Sequence, residues 1–490
     1  MTGMRPPPPR RPARRFQLPE PPPPPASRRP SMMPQGRLEP RRLSGIGPAA
    51  VPQELATPLW AAAAFFVAGI LFVVTLLYAL QTGNRNVLGG LLIVPPLAVI
   101  TAFIARRLAD VDRDNMVVSL VMGGFALKMI GAAVRYGVAY DAYGGAIDAT
   151  GYHTSGRELA AQFRHFDFAT DLPGRLVGTN FVRVVTGVFY TITPATRLTG
   201  FLIFSWIAFL GAIFYWRAFK VAMPGANTHK YALLLFVMPS MLYWPSAIGK
   251  DAWMMLTLGL CALGVSRLLT RGIASGILFV ALGVYGVSMV RPHVGILVMN
   301  GLVFGALLNT GKGRSPMRIF LVVGVVLVVA VSVMSRTQEF FGVESINRES
   351  FEEVLDDTAS RTSQGGSEYD PVRVRTPIDL PLAFGTVFYR PFVFEASNAQ
   401  LVASAVEGML LALLTALSWP SLKRVPRELR KSPYLGYCVG AILTFIVAFS
   451  AFSNFGILAR QRMQIVPLFY ALLCITAPRA DALAELHDDR

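Results

Sequence analysis

Charge is scarce in this sequence. Only 15% of its 490 residues are Asp, Glu, Lys or Arg, whereas 53% are hydrophobic. Soluble domains carry about a quarter charged residues, so this composition excludes an ordinary soluble protein. Apolar runs of about 20 residues recur along the chain, and each is long enough to cross a bilayer as a helix. The sequence therefore predicts an all-α, polytopic bundle of transmembrane helices.

Cysteine is scarce as well. The three cysteines, Cys261, Cys438 and Cys474, all fall inside apolar segments. This arrangement excludes a disulfide framework and a CxxC metal site. Asp148 and His153 alone do not make a metal-ligand set. We therefore predict no cofactor and no metal, with a divalent ion kept as the alternative.

The net charge of +17 is unevenly distributed. Residues 1–50 hold ten Arg, two Glu and 15 of the 35 prolines. Such a segment has nothing to bury, so we predict a disordered cytoplasmic tail that acts as a tether or touches anionic lipid headgroups. Most other basic residues lie in short loops between apolar runs, where membrane proteins place them. A nucleic-acid partner is therefore not predicted.

The predicted transmembrane domain covers residues 51–477 and is followed by a short cytoplasmic tail, 478–490. About twelve spans are predicted, at roughly 57–80, 87–105, 117–139, 198–216, 231–247, 252–269, 272–290, 292–309, 318–334, 399–419, 433–453 and 464–477. With both termini in the cytoplasm, sixteen Lys and Arg residues lie in short inner loops and five in short outer loops. This bias predicts a multi-pass protein of the plasma (inner) membrane with both termini cytoplasmic.

Two long extracytoplasmic loops follow from this topology, at about 140–197 and 335–398. The second carries eleven acidic and six basic residues. Within it, apolar residues recur at helical spacing over 345–360, which predicts an amphipathic helix on the outer face. This loop is a candidate lid over an outward-facing cavity.

The five cations that break the charge rule point to a site, because a cation on the translocated side opposes insertion. Four of them lie in the polar clusters Lys250-Asp251, Arg291-Pro-His293 and Arg460-Gln-Arg462. Two guanidinium groups match a phosphate or pyrophosphate. The alternative for Arg460 and Arg462 is that each arginine independently reaches toward the lipid headgroups. The alternative for Lys250 and Asp251 is an ion pair between neighbours that caps the start of the following helix.

The first long loop supplies ionisable groups for proton transfer. Asp148, Tyr152 and His153 follow the third span closely, and Asp148 and His153 are suited to accept a proton from a hydroxyl group. The alternative is that Asp148 only caps a following helix at 156–163.

Two charges lie within predicted spans, at Lys128 and Glu407. Charges inside a membrane are costly and are usually paired or functional. The two residues have similar predicted depths, so we expect them to form a structural ion pair.

These motifs resemble those of a known class. Asp148-x-x-x-Tyr-His153 is followed by Trp244-Pro-Ser-Ala-Ile-Gly-Lys-Asp251, Arg291-Pro-His293, Gly365-Gly-Ser367, Tyr389-Arg-Pro-Phe392 and the tract 454–462. Over roughly residues 140–465 the chain is similar to bacterial polytopic proteins of surface-polysaccharide assembly, the oligosaccharide-repeat polymerases and the C-type membrane glycosyltransferases.

The resemblance implies glycosyl transfer or glycan polymerisation outside the membrane, from a polyprenyl-(di)phosphate-linked sugar donor to a glycan acceptor. C-type enzymes place an acidic catalytic residue in the first outer loop, which here is 82–86 rather than the loop of Asp148. Repeat polymerases use outer-face arginines, which Arg291, Arg460 and Arg462 would supply. The choice between the two subclasses therefore stays open.

The predicted site assigns catalysis to Asp148 and His153. Its substrate-binding residues are Tyr152, Lys250, Asp251, Arg291, His293, Arg460 and Arg462. Lys250 and the three arginines would hold the (di)phosphate, while Tyr152 and His293 would orient sugar hydroxyls. The alternatives are a transporter or flippase for a lipid-linked glycan, which would have symmetric halves and charges near the midplane, and a non-catalytic envelope-assembly protein.

Overall fold

Every regular element in the described part of the chain is a helix. The computed structural model describes residues 59–170, 172–270, 272–308, 324 and 367–476. Seventeen α-helices lie within these ranges: α1 Leu59–Thr82, α2 Arg85–Asp112, α3 Met116–Gly137, α4 Asp148–Arg164, α5 Thr179–Ile192, α6 Arg197–Ala222, α7 Thr228–Val237, α8 Pro239–Tyr243, α9 Lys250–Thr270, α10 Ile273–Ser288, α11 Pro292–Leu307, α12 Leu380–Tyr389, α13 Ala399–Leu417, α14 Trp419–Leu429, α15 Pro433–Phe449, α16 Phe455–Arg462 and α17 Val466–Leu473. The predicted tails at 1–50 and 478–490 and the predicted helix at 345–360 lie outside the described residues, as does nearly all of the span at 318–334.

Six of these helices are long and apolar enough to cross a membrane: α1, α2, α3 with its continuation to Ala142, α6, α9 and α13. The pair α14 and α15 adds a seventh if it is one span, bent by 112°. Helices α10 and α11 are apolar but shorter. The all-α class is confirmed for the described residues, and so is the presence of helices long and apolar enough to cross a membrane, while the predicted number of about twelve spans is not confirmed.

The central helices of the bundle are buried, whereas the peripheral helices expose apolar side chains. Most of the apolar stretch of α6 and of α9 is buried, at 83% and 78% of its residues, whereas the value for α1 is 11%. The outer faces of α1, α2 and α13 present large apolar side chains such as Phe66, Val99 and Leu413. Exposed apolar surface of this extent is stable against lipid tails, so the burial pattern agrees with a membrane-embedded bundle.

Glycine brings the two central helices into backbone contact. A Cβ atom on Gly211 of α6 would lie 2.2 Å from the carbonyl oxygen of Met255, and one on Gly259 of α9 would lie 2.3 Å from that of Gly211. Small residues allow this approach, which is how helices associate where the hydrophobic effect between them is absent.

The predicted span at 231–247 is broken into α7 and α8, and the break explains both charges inside the bundle. The backbone N–H of Ser240 follows Pro239 and donates to Glu407 Oε1 over 2.8 Å. The Met241 carbonyl would accept from residue 245, but Pro245 has no N–H. Lys128 Nζ donates to that carbonyl instead, over 2.6 Å.

The predicted ion pair between Lys128 and Glu407 is therefore wrong. Both residues are buried and both act structurally, but each binds a different backbone group of α8. The proline breaks leave the Ser240 N–H and the Met241 carbonyl without helical partners. An unpaired backbone group in a membrane costs about 2–7 kcal/mol.

Candidate functional site

A chain of ion pairs joins three of the predicted polar clusters. Asp251 lies at its centre, where its Oδ1 accepts from Arg291 Nη1 over 3.0 Å and its Oδ2 accepts from Arg460 Nε. On the far side of Arg460, Asp148 Oδ2 lies 3.7 Å from Nη1. The predicted convergence of these residues is thus confirmed for Asp148, Asp251, Arg291 and Arg460.

Asp148 is positioned by a sharp turn between α3 and α4. Helix α3 continues as a π-helical turn over Val138–Ala142, after which Gly144 and Gly145 adopt φ values of 57° and 79°. Glycine adopts this left-handed region without strain. Helix α4 then begins at Asp148, earlier than the predicted 156–163, so its carboxylate lies in the first turn, where the helix dipole favours a negative charge.

Arg460 is positioned by α16, which packs on a strand-like segment that precedes α12. The backbone pairs at Glu368 and Asn454, and the ring of Tyr369 stacks on Phe455 with centroids 4.1 Å apart. The guanidinium of Arg390 lies 4.6 Å from the Tyr369 ring. This packing fixes the start of α16 and turns Arg460 toward α9.

The members of the ion-pair chain differ in exposure. The side chain of Asp251 is 6% exposed, while that of Asp148 is 68% exposed. Both carboxylate oxygens of Asp251 are engaged by guanidinium groups, so Asp251 orients Arg291 and Arg460. Its negative charge raises the pKa of Arg460. Asp148 is the carboxylate that is free to contact a substrate.

A cavity of about 210 Å³ opens beside these groups. Asp148, Asp251 and Arg460 line it together with Arg135 and with apolar atoms of Ile147 and Trp244. This is smaller than the roughly 300–1,000 Å³ of a drug-sized site, so it admits one phosphate or one sugar ring rather than a long glycan. The site is mixed in polarity, as sugar and phosphate recognition requires.

Positive charge exceeds negative charge around this cavity, which we call the first pocket. Lys250 is the first residue of α9, and its side chain makes no hydrogen bond or ion pair with any of the described residues, yet it lies within electrostatic reach of Asp148, Arg291 and Arg460. Among the residues that line the pocket, Arg135 and Arg460 balance Asp148 and Asp251, and Lys250 and Arg291, which lie beside the lining, add two positive charges. Such an excess of cationic donors is suited to an anionic ligand.

Arg135 was missed by the sequence analysis. It lies in the last turn of α3, where its Nη1 donates to the Tyr243 hydroxyl over 2.6 Å and its guanidinium lies 4.5 Å from the centroid of that ring. The available signal was an arginine inside a predicted span, only a few residues before a polar loop.

Tyr152 and His293 lie next to the cluster. Tyr152 is one turn after Asp148 on the same face of α4, is buried, and hydrogen bonds to Thr179. Burial and the nearby charge of Asp148 raise its pKa. His293, in the first turn of α11, lies within electrostatic reach of Arg291 and Lys250. Neither residue lines the first pocket.

His153 faces away from Asp148, because residues five apart on a helix point in directions about 140° apart. Its Nδ1 lies 2.9 Å from the Tyr190 hydroxyl, and it lines a second pocket with Arg157 and Arg197. The structure does not bring His153 to the first pocket, so the predicted pairing of these two residues needs correction.

Arg462 also needs correction. Residues two apart on a helix point in directions about 160° apart, so Arg462 points away from Arg460. It is buried, and its Nη1 donates to the carbonyl oxygens of Phe388 and Arg390 over 2.6 and 3.1 Å. Arg462 therefore fixes the chain after α12, and only Arg460 of the predicted pair faces the cluster.

The residues described in the structure contain no group of three or more His, Cys, Asp or Glu side chains placed to hold a metal ion. Comparisons with protein-family models, with curated proteins and with solved structures found no match to this chain.

Proposed function

We propose that this protein transfers a glycosyl group, or polymerises glycans, from a polyprenyl-(di)phosphate-linked donor at the first pocket. The observation that carries the proposal is one exposed carboxylate, Asp148, held 3.7 Å from Arg460 at the edge of a small cavity that Arg135 also lines. Glycosyl transfer from a phosphate donor needs a base for the acceptor and cations for the leaving group, and this pocket offers both.

In the proposed reaction Asp148 is the general base. An acceptor hydroxyl attacks the anomeric carbon of the donor sugar, its proton passes to the Asp148 carboxylate, and the bond between that carbon and the phosphate oxygen breaks. The leaving (di)phosphate keeps the electron pair and gains negative charge. Arg460 and Lys250 stabilise that charge, as fixed donors do in other group transfers.

Asp251 and Arg291 have a positioning role in this proposal. Asp251 accepts hydrogen bonds from Arg460, which lines the pocket, and from Arg291 behind it, so Arg460 is oriented before the donor binds. Pre-organised donors avoid the cost of reorientation during the reaction.

Placement at helix ends favours transfer over transport. Asp148 begins α4, Lys250 begins α9 and Arg291 precedes α11. A transporter site would lie near the middle of discontinuous spans. A pocket at the ends of membrane helices would lie near the depth at which a lipid-linked phosphate presents its charge.

For the topology, we propose about twelve spans in the plasma membrane, both termini in the cytoplasm, and the first pocket on the outer face. The distribution of basic residues between short loops supports this orientation. A Ser367→Cys variant tests it, because the three native cysteines are buried. An impermeant maleimide should label this variant in intact cells, and labelling only after lysis would contradict the orientation.

The catalytic proposal is tested with full-length protein in nanodiscs supplied with polyprenyl-linked sugar donors and a glycan acceptor. Asp148→Asn removes the base and should lower kcat by about 10²–10⁴-fold. Lys250→Gln should weaken donor binding and raise KM. Asp141→Asn is the matched control, since Asp141 is exposed and lies outside the residues that line the pocket.

Turnover of Asp148→Asn at the wild-type rate would refute the assignment of the base. Binding of the donor without product, combined with its movement across the membrane, would instead establish the transporter alternative. Wild-type glycan synthesis in cells that carry only the Asp148→Asn variant would favour a non-catalytic role.

A further inference from the structure

A second pocket lies on the opposite face of α4 from the first. Its volume is about 450 Å³, and the residues around it come from the starts of α2 and α6, the end of α3 and the middle of α4. It is lined chiefly by Asn84, Tyr136, His153, Arg157, Thr196 and Arg197. None of the described residues that line it carries a carboxylate.

Two guanidinium groups face this pocket. Arg157 and Arg197 are both exposed, and the Arg157 side chain makes no hydrogen bond or ion pair with any residue that the structure describes. The guanidinium of Arg197 lies 4.9 Å from the centroid of the Tyr140 ring, which fixes its position while its donors stay available. Two arginines without a carboxylate partner match the oxygen atoms of one phosphate.

His153 supplies an acceptor to the same pocket. The Tyr190 hydroxyl has one hydrogen and donates it to the Thr196 carbonyl oxygen over 2.9 Å. In the contact between His153 Nδ1 and that hydroxyl, also 2.9 Å long, the histidine must therefore be the donor. The proton is then on Nδ1, and Nε2 keeps its lone pair.

The charges around His153 favour this neutral form. Burial, together with Arg197 and Arg157, lowers the pKa of His153 to about 4. At neutral pH the imidazole is therefore neutral, and its Nε2 is able to accept a hydrogen bond from a ligand.

The back of the pocket is rigid. Asn86 Nδ2 donates to the Tyr136 hydroxyl over 2.7 Å, and the Asn86 backbone carbonyl accepts from the Thr196 hydroxyl over 3.2 Å. These bonds tie the start of α2 to the end of α3 and to the start of α6. The cationic and neutral groups thus keep fixed positions relative to one another.

We propose that the second pocket binds a phosphate ester that carries neighbouring hydroxyl groups. Arg157 and Arg197 bind the phosphate, and Nε2 of His153 accepts from a hydroxyl. A sugar phosphate and the headgroup of phosphatidylglycerol share this chemistry. The proposal does not depend on catalysis at the first pocket.

The test is isothermal titration calorimetry of full-length protein in phosphatidylcholine nanodiscs, with glucose 1-phosphate, inorganic phosphate and glucose as probes. Wild type should bind glucose 1-phosphate more tightly than either of the others. Arg157→Gln combined with Arg197→Gln should weaken that binding by about 10–100-fold, because each removes a charged hydrogen bond. Arg106→Gln, an exposed arginine distant in sequence from both pockets, is the matched control.

Lys250→Gln separates the two pockets. If Lys250→Gln no longer binds glucose 1-phosphate while the double arginine variant binds it with wild-type affinity, the ligand binds in the first pocket and the proposal is wrong. Equal affinities of wild type and the double variant would also overturn it, as would the absence of binding by wild type in every nanodisc. The unfolding temperature of each variant shows that it is folded.

Nanodiscs that contain phosphatidylglycerol identify the source of the phosphate. If this lipid lowers the apparent affinity for glucose 1-phosphate in wild type but not in the double variant, the lipid headgroup occupies the pocket. If the affinity is unchanged, the pocket selects the soluble sugar phosphate. Both results uphold the proposal.

Discussion

Replacement of Asp251 by Asn should destabilise the protein strongly, because it leaves two guanidinium groups without their shared carboxylate. Asp251 contacts Arg291 and Arg460 and is 6% exposed. Removal of one partner from a buried ion pair costs about 3–5 kcal/mol. For a chain of this size, we take about 1–2 °C in Tm per kcal/mol, below the range for smaller domains. The expected decrease is therefore about 3–10 °C.

The protein carries its own reporter for this measurement. Cys261, Cys438 and Cys474 are free and buried, so a fluorogenic maleimide reacts with them only when the bundle opens. Thermal unfolding in nanodiscs, followed by this dye, gives the Tm of each variant. Asp148→Asn is the control, since its carboxylate is 68% exposed and its loss should lower the Tm by no more than about 1 °C.

A second substitution tests the cause. Arg291→Met in the Asp251→Asn background removes one of the two stranded cations and should recover part of the lost stability. Equal Tm decreases for Asp251→Asn and Asp148→Asn, or no decrease for either, would refute the distinction between a buried centre and an exposed end of the ion-pair chain.

Three further outcomes follow from the packing and charges. Glu407→Leu should cost about 1–3 kcal/mol, because the Ser240 N–H loses its acceptor, whereas Glu407→Gln keeps an oxygen there and should unfold close to wild type in the maleimide assay. Gly259→Val should cost about 1–3 kcal/mol or more in the same assay, because its Cβ would meet the Gly211 carbonyl. The pKa of His153 is about 4 in the folded state and 6.5 in the unfolded state. As the pH falls from 6.5 to 4, the unfolded state therefore binds the proton more readily than the folded state. The free energy of unfolding should therefore decrease by about 2 kcal/mol from pH 6.5 to 4, as followed by tryptophan fluorescence, and His153→Gln should abolish that part.

The membrane class and part of the site were accessible from sequence because both depend on simple physical rules. A bilayer demands long apolar helices, and these can be read directly from composition. Cations on the translocated side oppose insertion, so the prediction that Lys250, Arg291 and Arg460 lie on that side indicated a cluster before any geometry was known. Asp148 joined them because it follows a span closely.

The remaining errors arose where helix phase and backbone breaks decide contacts. Arg460 and Arg462 are close in the sequence, yet their side chains point to nearly opposite sides of the helix that carries them. Lys128 and Glu407 share a depth, yet the breaks at Pro239 and Pro245 gave each a backbone partner that a count of charges does not reveal. Periodicity locates a helix, but it does not tell which neighbour faces each side.

The bond between Glu407 and Ser240 also constrains how this protein is made. The two residues are 167 positions apart, so Ser240 leaves the ribosome long before its acceptor is synthesised. Until then, the N–H exposed by the proline break has no protein acceptor at Glu407. This hydrogen bond therefore forms only after α13 has been synthesised, so the packing around the kinked segment is completed out of the order of translation.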